Sequence, residues 1–184
     1  MKRCPDIVLA VLALLALIPL LLLVAVCIAA QDGLPVLFKQ VRVGRGGHEF
    51  GMFKFRSMVK NAVSQGPYFT VGGDPRITRL GRFIRRTSID ELPQLINVVL
   101  GDMSLVGPRP DVPVQRSLYL DADWQERCSV RPGITGLAQA LIRSEGVEGE
   151  RVKLDLQYVR SHSFWLDLRI IALTLKRLGG KGGN

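Results

Sequence analysis

The N-terminal segment constrains this chain most, because it contains one long, uncharged apolar run. The run extends from Ile7 to Ala30 and follows Lys2, Arg3 and Asp6. At about 1.5 Å per residue, a helix of this length covers a bilayer core of about 30 Å. The sequence therefore predicts a membrane-associated helix, followed by a more polar remainder.

On the residues alone, three interpretations of this run stay open. A cleaved signal peptide fits Lys2 and Arg3, but its apolar region is usually only about 7–15 residues long. A spanning helix fits the length. A re-entrant helix, which enters and leaves by one membrane face, fits Pro19, where a kink is expected. It also fits the basic residues on both sides of the run, since positive charge prefers the cytoplasmic side. Length and composition place spanning slightly ahead of re-entry.

The chain beyond the apolar run is strongly basic. The whole sequence has 25 Lys and Arg against 16 Asp and Glu, a net charge of +9, and few of these charges precede residue 31. Such a surface favours anionic partners, among them lipid headgroups, nucleotides and nucleic acids. Cys4, Cys27 and Cys128 are odd in number and lack metal-ligand spacing. Neither a disulfide framework nor a zinc site is therefore expected.

After the run, the sequence predicts a β-hairpin and several short helices. Residues 36–43 and 48–58 flank a Gly-rich turn and alternate in polarity, as hairpin strands do. Lys54 and Arg56 fall on the polar face of the second strand, where such cations are usually solvated. Helices are predicted over 78–86, 92–100, 148–161 and 164–178, and Gly/Pro-rich loops over 107–113 and 131–136. The last helix carries Trp165 near its start, which fits both an interfacial helix and a core-packing helix.

Residues 85–95, RRTSIDELPQL, place two carboxylates directly after two arginines. Ser88 and Glu91 fit a capping box, with serine as the N-cap and glutamate three residues on. The alternative is chemical: an ionised Asp90 could attack phosphorus or bind a divalent cation. Arg109, in a stiff Gly-Pro-Arg-Pro loop, presents a planar fork of donors that suits phosphate oxygens. The spacing alone does not decide between the capping and the chemical interpretation of the carboxylates. It also does not decide whether Arg109 binds phosphate or is a solvated turn residue.

Six motifs in a fixed order resemble a known family. They are KFRSM (54–58), DPRIT (74–78), LGRFIR (80–85), SIDELPQ (88–94), GDMSLVGPRP (101–110) and RPGITG (131–136). This series resembles the monotopic phosphoglycosyl transferases, the bacterial sugar transferase family. The resemblance covers nearly the whole chain, and the short length resembles the minimal members, which carry only the catalytic core.

This resemblance implies an enzyme that uses a UDP-sugar and undecaprenyl (polyprenyl) phosphate, releases UMP and makes polyprenyl diphosphate sugar. It implies that Asp90 attacks the β-phosphorus to give a covalent aspartyl intermediate, which the lipid phosphate then resolves. Glu91 completes the catalytic dyad, and Asp90 also helps to hold Mg²⁺. The implied substrate-binding residues are Lys54, Arg85, Arg109 and Arg131. The reaction would begin assembly of a surface glycan such as O-antigen or capsule, and nucleic acid is not an expected partner.

The resemblance also implies an architecture and a location. The expected fold is α+β: residues 1–31 form a re-entrant membrane helix broken at Pro19, and residues 32–184 form a cytoplasmic catalytic domain. That domain is expected to be small and mainly helical, with a β-hairpin and interfacial amphipathic helices, on the cytoplasmic face of the bacterial inner membrane. Serine commonly precedes this proline in the family, whereas this chain has Ile18, which cannot bond a freed backbone carbonyl. The competing hypothesis is a non-enzymatic peripheral protein that binds anionic lipid or nucleic acid.

Overall fold

The computed structural model describes residues 2–67, 70, 72–142 and 148–179. The helices are α1 (Arg3–Asp32), α2 (Arg79–Arg86), α3 (Gln94–Leu100), α4 (Asp121–Arg127), α5 (Leu137–Leu141), α6 (Glu148–Ser161) and α7 (Phe164–Gly179). The strands are β1 (Leu37–Val43), β2 (Glu49–Phe55), β3 (Ser104–Val106) and β4 (Gly133–Thr135). The predicted mixture of one long apolar helix, further helices and small sheets is confirmed.

The predicted hairpin is present as β1 and β2, which pair antiparallel from Leu37 opposite Phe55 to Val43 opposite Glu49. Its burial follows the predicted alternation only in part. Val43 and Phe55 are buried, whereas Val41 is 51% exposed. The difference arises because helices cover only part of this two-stranded sheet, and Val41 forms part of a cleft wall instead.

Helix α3 is fastened to β2 by a buried asparagine. The Asn97 side chain accepts a hydrogen bond from Phe53 N (2.9 Å) and donates one to Gly51 O (2.9 Å). It thereby satisfies strand groups that would otherwise be left unpaired as the helix covers them. Asn97 is fully buried, so these bonds position the helix that follows the two carboxylates.

One of the two segments expected to be loops, residues 131–136, contains a strand that pairs in parallel with β3, just before the other predicted loop. Ser104 of β3 pairs with Gly133 of β4, and Val106 pairs with Thr135. A Cβ atom on Gly133 would lie only 2.1 Å from Gly107 N, so the close approach of the two segments requires glycine. The prediction of simple loops was therefore wrong for residues 133–135, and the pair fixes the start of the loop that carries Arg109.

Both halves of α1 pack against the rest of the protein. Before Pro19, Ala10 lies in a core cluster with Val98 of α3. After it, Ile28 lies in a second cluster with Ile84 of α2. Helical structure continues on both sides of Pro19, and the re-entrant break at that residue stays a prediction.

Polar groups at the start of α1 also bond to the folded domain. The Arg3 guanidinium donates to the carbonyl oxygens of Val98 (2.5 Å) and Val99 (3.0 Å) at the end of α3. Lys2 Nζ lies 2.8 Å from the Asp167 carboxylate of α7. Because α1 is also held at its far end, both ends of the apolar helix contact the same domain.

The outward surface of α1 is apolar and exposed. Within the described residues, α1 is the one helix long and apolar enough to cross a membrane, by length and composition. At the other end of the chain, α7 buries Ile170 but exposes Phe164 and Trp165. The two predicted roles for that helix, core packing and contact with the membrane interface, therefore use different faces, and membrane contact stays a prediction.

Candidate active site

The chain reverses sharply between α2 and the two adjacent carboxylates. Ser88 adopts a left-handed backbone conformation (φ 58°), and its side chain makes no cap hydrogen bond. A 3₁₀ turn follows at Ile89–Glu91, and α3 begins only after Pro93. The capping-box prediction was therefore wrong, because the Glu91 side chain bonds to cations from other segments rather than to the Ser88 backbone.

Glu91 lies between two cations. Its Oε1 lies 2.8 Å from Lys54 Nζ and 2.6 Å from Arg109 Nη2. Burial alone would raise the pKa of Glu91, but Arg109 and Lys54 together hold it well below its usual range. Arg109 and Lys54 thus favour the ionised form of Glu91, whose charge in turn orients both cations.

Asp90 has the opposite environment. It is 7% exposed, and its carboxylate makes no hydrogen bond or ion pair with any described residue. Burial, against the opposing effect of Lys54, raises the pKa of Asp90 to about 6. Its carboxylate is still mostly ionised at neutral pH, and no described Lys or Arg forms an ion pair with it. Of the two adjacent acids, Asp90 is therefore the one free to react or to bind a ligand.

Both carboxylates line one large cleft of about 1530 Å³. This volume exceeds that of a usual small-molecule pocket, about 300–1000 Å³, and leaves room for two substrates. The predicted site residues that line it are Lys54, Arg85, Asp90, Glu91 and Arg109. Arg85 also donates to Thr70 Oγ1 (2.9 Å). The structure thus brings together five residues from three separate segments of the sequence.

Arg131, the remaining predicted substrate-binding residue, does not line this cleft. Its Nε donates to Gly101 O (2.9 Å), the residue that ends α3. Five arginines that line the cleft among the described residues were not predicted: Arg42, Arg56, Arg76, Arg151 and Arg177. Burial, followed by the neighbouring Arg109, lowers the pKa of Arg42 to about 10.

A buried ionic network supports the loop that carries Arg109. The Arg127 guanidinium contacts Asp111 (2.9 Å) and Asp155 (3.0 Å), and all three side chains are almost fully buried. Arg127 Nη2 also donates to the Arg109 carbonyl oxygen. Arg151 contacts Asp111 as well. This network, which joins α4 and α6 to the loop, had no clear sequence signal because its members are widely separated.

The site fits a divalent cation that arrives with a phosphate ligand. No group of three or more His, Cys, Asp or Glu side chains able to hold a metal occurs in the described ranges. The acidic residues lining the cleft are Asp90 and Glu91, and Glu91 is already paired with cations. Mg²⁺ is usually bound by one or two carboxylates together with substrate phosphates, and Asp90 is the cleft carboxylate that no described cation pairs with.

Comparison with known proteins identifies the family of the chain. The family model for the bacterial sugar transferases matches residues 1–181. The chain belongs to the bacterial sugar transferase family.

Its curated relatives are similar over almost the whole of this sequence. An undecaprenyl-phosphate glucose phosphotransferase of Komagataeibacter xylinus is 49% identical over 96% of this chain and 35% of its own length. A UDP-N-acetylgalactosamine-undecaprenyl-phosphate N-acetylgalactosaminephosphotransferase of Aeromonas hydrophila is 41% identical, over 97% and 43%. A UDP-glucose:undecaprenyl-phosphate glucose-1-phosphate transferase of Caulobacter vibrioides is 41% identical, over 96% and 69%. This sugar transferase chain thus spans less than half the length of the first two relatives.

Proposed function

We propose that this protein transfers a sugar 1-phosphate from a UDP-sugar to undecaprenyl phosphate and releases UMP, as the first membrane step of surface glycan assembly. The observation that carries the proposal is the contrast between the two adjacent acids. Glu91 is held by Lys54 and Arg109, whereas Asp90 faces the cleft without a cationic partner. The names of the relatives supply the substrate classes.

The proposed reaction proceeds by two displacements at the same phosphorus. An Asp90 carboxylate oxygen forms a bond to the β-phosphorus of the UDP-sugar, while the bond from that phosphorus to the bridging oxygen breaks and UMP leaves. A phosphate oxygen of undecaprenyl phosphate then forms a bond to the phosphorus of the aspartyl intermediate. The bond to Asp90 breaks, which restores the carboxylate and gives undecaprenyl diphosphate sugar. A covalent intermediate divides one difficult transfer into two easier ones.

The cations of the cleft address the main obstacle to this reaction, since a carboxylate must approach a diphosphate. Arg109 and Lys54, fixed by Glu91, would bind phosphate oxygens and stabilise the charge that develops as UMP leaves. Arg85 lines the same cleft and would bind the donor. Asp90, together with the diphosphate oxygens, would hold Mg²⁺, which when bound would neutralise part of the diphosphate charge.

The packing of α1 supports a location on one face of the membrane. A straight helix of 30 residues is about 45 Å long, enough to separate its ends across a bilayer. Both ends, however, contact the same polar domain, through Lys2 and Arg3 at one end and Ile28 at the other. We therefore propose that residues 1–31 re-enter the cytoplasmic leaflet, with residues 32–184 on the cytoplasmic face of the inner membrane.

The experiment that tests the function is UMP release by the purified protein in lipid, with Mg²⁺ and undecaprenyl phosphate, across a panel of UDP-sugars. The panel includes UDP-glucose and UDP-N-acetylgalactosamine because the relatives' names contain these sugars. Asp90→Asn is the matched control, since it keeps the shape of the side chain and removes its charge. Release with one sugar and none from Asp90→Asn is expected. Equal release by both proteins would reject Asp90 as the nucleophile.

A further inference from the structure

Arg56 is a buried cation with incomplete pairing. The residue is 8% exposed, and its Nη2 donates to the Gly33 carbonyl oxygen (2.6 Å). Its Nε and Nη1 have no hydrogen-bond partner, and no described carboxylate forms an ion pair with it. A buried charge is costly unless it is paired and hydrogen-bonded. The same side chain lines the cleft, so an anion bound there would complete its pairing.

The position of Arg56 relates it to the reacting groups. Its backbone N donates to Val36 O (2.9 Å), which continues the β1–β2 ladder one residue past Phe55. Side chains two residues apart on a strand share a face and are about 7 Å apart along it. Lys54, two residues before Arg56, contacts Glu91 directly. Arg56 therefore lies on the same strand face as the cation that contacts Glu91, about 7 Å further along the strand.

The Arg56 side of the cleft adjoins the membrane helix. Gly33, which accepts the bond from Arg56, ends α1. A Cβ atom on Gly33 would lie 3.5 Å from Lys60 Nζ, so a second cation is close to the same point, and Lys60 also lines the cleft. No described carboxylate pairs with Lys60 either. Arg56 and Lys60, two cations without a described acidic partner, thus both lie close to Gly33 at the C-terminal end of α1.

The cleft wall next to these cations is apolar and exposed. Phe38, which lies opposite Lys54 in the β1–β2 ladder, is 38% exposed and lines the cleft together with Pro35. Contact with such a wall would not stabilise a bound polar nucleotide sugar. It would stabilise a bound isoprenoid chain, by about 25 cal/mol for each Å² of apolar surface that the chain buries. Cations beside an apolar wall match a phosphate monoester joined to a hydrocarbon chain.

We propose that Arg56, assisted by Lys60, binds the phosphate of the lipid acceptor, and that Pro35 and Phe38 contact its first isoprene units. The proposal rests on the function proposed above and extends it by assigning the acceptor site. In this arrangement the acceptor phosphate enters from the α1 side of the cleft. Arg85 and Arg109 remain available for the donor.

The kinetic test uses the full chain in lipid nanodiscs, with KM measured separately for undecaprenyl phosphate and for the UDP-sugar. Arg56→Met is expected to raise the KM for undecaprenyl phosphate roughly tenfold or more, the usual effect of losing a hydrogen bond to a charged group. The KM for the UDP-sugar and the UMP burst without acceptor should change less than about twofold. Lys60→Met, which changes an exposed residue, should raise the acceptor KM by a smaller factor.

Arg82→Met is the matched control, because Arg82 is exposed and does not line the cleft, and its kinetics should equal those of the wild type. A rise in the KM for the UDP-sugar, or a slower UMP burst, would overturn the assignment in favour of a donor site. Unchanged kinetics in both Arg56→Met and Lys60→Met would also overturn it.

A binding measurement separates failure of this proposal from failure of the proposed function. Calorimetric titration of wild type and Arg56→Met with a short-chain prenyl phosphate requires no turnover. Weaker binding to Arg56→Met, with or without UMP release by the wild type, supports the acceptor site. Equal binding to both proteins overturns it. An equal loss of binding for inorganic phosphate would reject the lipid as the specific ligand.

Discussion

Replacement of Arg127 should unfold the protein at a much lower temperature, because this guanidinium neutralises two buried carboxylates. Arg127 contacts Asp111 at 2.9 Å and Asp155 at 3.0 Å, with side-chain exposures of 4%, 1% and 1%. Removing one member of a buried ion pair costs about 3–5 kcal/mol, because the remaining charge is left without compensation. Arg151 still contacts Asp111 in the variant, which favours the lower end, about 3 kcal/mol.

For a chain of this size, each kcal/mol lowers Tm by about 2–4 °C, so Arg127→Met should lower Tm by roughly 6–12 °C. The assay is thermal unfolding of both proteins in the same nanodiscs, followed by circular dichroism. Arg160→Met is the matched control, since Arg160 pairs with Glu126 on the surface, where its side chain is 64% exposed. That variant should lose less than about 1 kcal/mol.

The deficit of Arg127→Met should also depend on pH. Burial already raises the pKa of Asp155 above its usual value, and loss of Arg127 raises it further. A carboxyl whose folded pKa is raised destabilises the fold at higher pH, and this effect disappears as the pH falls through that pKa. The difference in Tm between variant and wild type should therefore shrink towards acidic pH. A Tm change no larger than that of Arg160→Met, or a deficit that grows with acidity, would refute the reasoning.

Two further predictions concern the packing of α2 and the topology of α1. Gly81→Ala places a Cβ atom 1.9 Å from Ser57 O and should lower the free energy of unfolding by about 1–3 kcal/mol, as measured by denaturant titration. Gly72→Ala is the control, because its Cβ atom would meet no atom within 4 Å. The topology of α1 is tested with two variants that each keep one cysteine, either Cys4 or Leu34→Cys. Both cysteines should resist a membrane-impermeant thiol reagent in intact spheroplasts and react after lysis. Labelling of Cys4 before lysis would contradict re-entry.

The sequence predicted the elements whose signals are local. The bounds of helices α6 and α7 were predicted within one residue and those of the hairpin strands within three, because their polarity patterns extend over many residues. The short parallel pair of β3 and β4 was missed, since three-residue strands among Gly and Pro carry almost no local signal. Its existence depends on the close approach of Gly107 and Gly133, which only the folded chain reveals.

The same distinction applies to the site. The motif around Asp90 and Glu91, together with the family resemblance, identified five residues of the cleft. It did not predict that Glu91 would bond to Lys54 and Arg109 rather than cap a helix. Arg56 was expected to be solvated on a strand face. It is buried instead, because the end of α1 covers it, a contact between segments that strand periodicity does not encode.

The most direct test of the account is a search for the covalent intermediate. The protein is incubated with Mg²⁺ and its UDP-sugar without acceptor, then digested and analysed by mass spectrometry. The account predicts a phosphosugar on the peptide that contains Asp90, release of about one UMP per protein, and neither product from Asp90→Asn. UMP that appears only after undecaprenyl phosphate is added, with no modified peptide, would contradict the two-displacement mechanism and the role of Asp90 as nucleophile.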